Sequence, residues 1–83
     1  MKYGLYSIRD SLNGFGTPLC DFNDATATRN FKSAFAGNRI ATPGDYDLFR
    51  IGSFDVDTGY ISPEAHPVLI MRGIDVGKEN VDG

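Results

Sequence analysis

Few side chains in this 83-residue chain can do covalent chemistry. It holds one histidine, His66, one cysteine, Cys20, and no G-x-S-x-G elbow, which leaves little for a nucleophilic triad. Cys20 with His66 supplies two zinc ligands where a structural site takes four. A single Cys also excludes an internal disulfide, and a buried, inert thiol is expected. His66, between Ala65 and Pro67, reads as an exposed loop residue. DVDTG, Asp55 to Gly59, starts like a calcium loop, but Tyr60 stands where Gly is needed and His66 where a bidentate Glu is needed. Turn chemistry explains it better. Asp45 and Asp47 flank Tyr46 and are expected on one face at a strand edge, where charge discourages sheet-to-sheet pairing. NGFG, Asn13 to Gly16, lacks the Lys and the strand-loop-helix context of a phosphate loop. No metal and no cofactor are expected, and the chain does not read as an enzyme. A hydrolase using Asp47 or His66 is the remote alternative.

Binding chemistry is better represented. Arg29 and Lys32 stand one helical turn apart, and Arg9, Arg39 and Arg50 are further cations of the first half. Single-strand binders pair such cations with aromatic rings, each stacked base contributing about 1–3 kcal/mol. Tyr3, Tyr6, Phe15, Tyr46 and Tyr60 are the rings on offer. The residues alone favour a plainer reading, half-buried strand tyrosines with wet hydroxyls. The net charge of −3 and a pI near 4.8 argue against a strongly basic clamp. That charge is uneven: six Lys/Arg face five Asp in residues 1–50, and two face six acids in 51–83. A nucleic-acid surface therefore belongs to the first fifty residues.

The elements that position these groups centre on one helix, in the stretch from Asn23 to Asn38. Asn23 is a good N-cap, Asp24 suits the positive end of the helix dipole, and Phe22 is placed to fold over Ala27 as a staple. At 100° per residue Ala27, Thr28, Phe31, Ala34 and Phe35 share a face, opposite Thr26, Arg29 and Ser33, and Gly37 is the expected stop. KYGLYSIRDSL alternates as a strand, with Tyr6, Ile8 and Leu12 on one side and Tyr3, Leu5, Ser7 and Arg9 on the other. Asn13-Gly14 predicts a type I′ hairpin turn, and FGTPLCDF the return strand with Pro18 at an edge or bulge. DYDLFRIGSF is the third strand, with Tyr46, Leu48 and Arg50 on one side and Phe49 and Ile51 on the other. YIS begins a fourth, Pro63 and Pro67 bracket a break, and VLIM, Val68 to Met71, is an optional fifth. The expected fold is α+β, a mostly antiparallel sheet on one helix in the order β-β-α-β-β(-β). Residues 1–75 form the one domain, and 76–83 a flexible polar tail.

Four segments taken together, YSIRD, GFGTP, NDATATRNFK and DYDLFRIGSFDVDTG, resemble the small nonstructural protein of gokushovirus-type microviruses, tailless icosahedral single-stranded DNA bacteriophages. The likeness covers about residues 3–61 and rests on the spacing of NDA-T-A-x-RNF before DY-D-L-x-R-I-G-x-FD-x-x-TG. It implies a protein outside the virion, associated with single-stranded genome synthesis or packaging in the host bacterial cytoplasm, with DNA binding suggested and no catalytic residues to carry over. Among the matching positions Asn23, Asp24, Phe31, Phe54 and Gly59 have structural reasons. Arg9, Arg29, Asn30, Lys32 and Arg50 are expected exposed and invite a binding role, with Tyr6 and Tyr46 as stacking rings. The expectation is a non-enzymatic accessory factor that binds single-stranded DNA weakly. Four neutralised phosphates would give a slope of log affinity against log salt of about −3. The alternative is a module that docks on the phage replication initiator, the procapsid or a host factor, favoured by the acidic C-terminal third. Small size also suits a homodimer. No stretch is long enough to span a membrane.

Overall fold

The computed structural model describes residues 1–36 and 42–76, and over these the chain is an α+β fold. The expected stop at Gly37, the cation Arg39 and the tail beyond Val76 lie outside the described residues. Strand β1 (Lys2–Asp10) is followed by β2 (Gly14–Phe15), β3 (Leu19–Asp21), helix α1 (Asp24–Ala36), β4 (Tyr46–Asp55) and β5 (Ile61–Arg72). One antiparallel sheet holds all five strands, with β2 and β3 along one side of β1, β4 along the other, and β5 outside β4. Helix α1 crosses one face of it.

The helix forms where its start signals agree. Asn23 Oδ1 accepts the Thr26 N–H at 2.8 Å, which satisfies one of the donors a helix start leaves unpaired. Ala27 and Phe31 are buried against Tyr6, Leu48, Met71 and Val76, with Ile8, Phe35, Tyr46 and Ile70 packed around them. Burying Phe31 and Leu48 contributes roughly 1.5–3 kcal/mol each. Gly4 leaves room for this arrangement, because a Cβ there would collide with the Tyr6 ring and hydroxyl.

Several local expectations are corrected. Asn13 has no positive φ, so the first hairpin does not turn through a type I′ pair. Asn13 N–H instead donates to Asp10 O at 3.2 Å, and Gly14 follows at φ 90°, a three-residue loop closed by a glycine bulge. The Asp10 carboxylate fixes it by accepting the Leu12 N–H and the Asn13 amide, each at 2.9 Å. The return strand is split at Gly16–Pro18, since Pro18 has no ladder N–H. Phe22 does not staple the helix; it packs edge-on to Tyr3 at 5.2 Å and is 61% exposed. Ala34 and Leu12 are exposed as well.

The larger correction concerns β5. The expected fourth and fifth strands are joined as one strand, and the expected break between Pro63 and Pro67 survives as an interruption of its ladder. Gly52 pairs with Pro63 and Arg50 with Val68, so Glu64 to Pro67 arch out opposite Ile51 alone. Both prolines are tolerated because β5 is the outermost strand. Strand β4 is central, so Asp47 is no edge charge; its Oδ1 accepts the Gly73 N–H at 3.1 Å. Val76, assigned above to the tail, is buried at 7% exposure.

Candidate functional site

On the helix side of the sheet, Tyr6, Asp24, Arg50 and Glu64 form a polar network. Arg50 shares the core-facing side of β4 with Leu48, and a guanidinium there needs partners. Its Nη1 donates to Asp24 Oδ2 at 2.6 Å and its Nε to Glu64 Oε2 at 2.8 Å. Asp24 Oδ1 accepts the Tyr6 hydroxyl at 2.7 Å. The hydrogen bond from Tyr6, then Arg50, holds the Asp24 carboxyl below its ordinary value. Burial, then the neighbouring Asp24 carboxylate, pushes the Tyr6 phenol well above its own. Glu64, then Asp24, raises Arg50. The network ties the helix start, the central strand and the arch of β5 together, and two carboxylates meet the one charge of Arg50. A cleft of about 500 Å³ opens over it.

Among the described residues no helix lies on the opposite face of the sheet. Residues opposite one another in an antiparallel ladder point to the same side, so the register identifies its rows. Tyr3 faces Phe54, which faces Ile61, and Phe22 packs on Tyr3. Cys20 and Leu5 lie in the next row, with Pro63 beyond Gly52. Ser7, Phe49 and Leu69 follow, then Phe15, Arg9, Asp47 and Arg72. Phe15 packs edge-on to Phe49 at 5.3 Å, and the Arg9 guanidinium stands 6.0 Å from the Phe15 ring centre. Phe22, Ile61, Phe15 and Leu69 are 61%, 61%, 47% and 47% exposed. Tyr3, Leu5, Phe49 and Phe54 are half-buried. Apart from Tyr3, Cys20 and the buried Ser7, the polar groups of this face are confined to the row of Arg9, Asp47 and Arg72.

The sequence-predicted site residues are not brought together. Tyr6 is buried at 1% exposure and cannot stack on a ligand, and Arg50 is paired with two carboxylates. Tyr46 lies on the helix side, tilted against Phe35 at 5.7 Å between ring centres. Arg29 is exposed on α1, Asn30 donates its amide to Asp21 Oδ2 at 2.8 Å, and Lys32 borders a groove between α1 and β5. Arg9 alone of the set stands on the open face. Cys20, expected buried, is exposed there. Sequence reasoning missed the open face as a unit, although it placed Tyr3, Leu5, Ser7 and Arg9 on one side of β1. The signal was that alternation puts apolar residues on both sides of β1 and β4 while the sequence predicts one substantial helix to cover them.

Among the described residues no group of three His, Cys, Asp or Glu is placed to hold a metal ion. No described helix is long and apolar enough to cross a membrane. Residues 3–76 match the model of a family described as phage ORF5 protein. No curated protein and no solved structure matches the chain.

Proposed function

This chain belongs to the phage ORF5 protein family, and from that premise we propose that it is a non-enzymatic accessory protein of a single-stranded DNA phage, of the microvirus type. It binds single-stranded DNA weakly through the open face of its sheet, in genome replication or packaging in the host cytoplasm. The observation that carries the reading is the uncovered face itself, with Tyr3, Phe15, Phe22, Phe49 and Phe54 on four adjacent strands or their ends and Arg9 beside Phe15. Bases stack on such rings irrespective of sequence. Arg9 and Arg72 at one end of the face supply phosphate contacts. Eight of the nine acids among the described residues lie off this face, so the negative net charge opposes binding less here than elsewhere.

The contact set differs from the one read off the sequence, because Arg50 is neutralised and Arg29 and Lys32 are on the helix. Two phosphate contacts give a salt slope of about −1.4 in place of −3. Fluorescence anisotropy of a labelled oligothymidylate over a salt series tests this. Binding at low salt with that shallow slope is expected, weakened by Phe22→Ala and by Phe15→Ala by about 1–3 kcal/mol each. No binding at low salt, or affinity unchanged in both variants, overturns the reading.

A second reading has its own observation. Leu5, Ile61 and Leu69 make the face partly aliphatic, which suits a protein partner from the phage or host. Capture of such a partner that persists after nuclease treatment and is lost in Phe22→Ala favours that docking role.

A further inference from the structure

We infer that, in the absence of DNA, the open sheet face is covered by the same face of a second copy of this chain, so that self-association and DNA binding exclude each other. The inference rests on the reading above for its DNA half only. Four side chains of the face are 47–61% exposed, and the half-buried rings and Leu5 add to them. With a large side chain presenting about 200 Å² in full, the apolar area comes to roughly 600 Å². That is the upper end of the range, about 300–600 Å², that the largest apolar patch of a typical monomer reaches. One partner of a standard interface contributes about 600–1,000 Å², so the face reaches the size a stable dimer needs. Two antiparallel sheets can stack about 10 Å apart through such faces.

Neither end of the face carries charge that opposes this: Arg9 and Arg72 flank Asp47 at one end, and at the other Asp57 is paired with the Met1 amino group at 2.7 Å. Such a face-to-face dimer hides every ring proposed to stack on bases, and DNA enters only as the copies part.

Sedimentation equilibrium of the full chain from micromolar to sub-millimolar concentration tests the dimer. A dimer is expected that weakens roughly tenfold or more in Phe22→Glu/Ile61→Glu. Both positions are 61% exposed, so the fold survives, and circular dichroism confirms it. A monomer throughout, or a variant as dimeric as the parent, overturns the inference. Adding oligothymidylate is expected to shift mass from dimer to monomer-DNA complex; DNA bound to an intact dimer overturns the exclusion. A dimer of the expected sensitivity with no DNA binding at all leaves the covered face standing and sinks the DNA reading instead.

Discussion

The Tyr6–Asp24–Arg50–Glu64 network shows why the nature of a side chain is not its role. Arg50 has the charge for phosphate and Tyr6 the ring for a base, yet each is consumed by neighbours. Arg50→Gln is therefore predicted to leave the salt slope of oligonucleotide binding unchanged, while Arg9→Gln makes it shallower by about 0.7. Tyr6→Phe removes a hydrogen bond to a carboxylate that is 47% exposed and can rehydrate, so the expected loss is about 1 kcal/mol in urea unfolding. The Tyr6 phenol is raised in the fold from 10.0, so its contribution is complete below about pH 10 and is lost as pH rises further. Tyr6→Phe removes that alkaline limb. Asp24 is lowered from 3.8, and its contribution is complete above about pH 4 and lost as pH falls through the folded value.

At the scale of elements, the cap carries a direct test. Asn23→Ala leaves the Thr26 N–H without its acceptor and is expected to cost about 1 kcal/mol of stability, measured by thermal or urea unfolding. The helix start was legible in the sequence because cap, first-turn acid and buried face are all local signals. Strand β1, the sidedness of β4 from Tyr46 to Arg50 and the turn at Asp55 to Gly59 were legible for the same reason, whereas Ile51 falls in a bulge that alternation does not foresee. Strand β5 was legible in part: Pro63 and Pro67 do bracket an interruption of the ladder, but only the pairing shows that both sides of it run as one strand along β4. The network was hidden differently. Tyr6, Asp24, Arg50 and Glu64 are scattered along the chain, and the one local hint was an arginine on the side of a strand that also carries Leu48. Phe22 misled because a staple and a sheet-face contact present the same residue before a cap.

Among the described residues there is one α-helix and a sheet with two sides, so one side is left largely apolar and without a helix over it. On our reading that imbalance matters more than any single residue, because a small chain with six buried hydrophobics among its described residues has little stability to spare for an idle apolar surface. Stacking on bases and closing against a second copy are two ways of covering it, and both place function on the side away from α1. The most direct measurement is the amide chemical-shift map of the isotopically labelled protein titrated with oligothymidylate. The account predicts shifts concentrated at Tyr3, Leu5, Arg9, Phe15, Phe22, Phe49 and Phe54, with Arg29 and Asn30 unmoved. Shifts centred on Arg29, Asn30 and Lys32, or none on the open face, would contradict it.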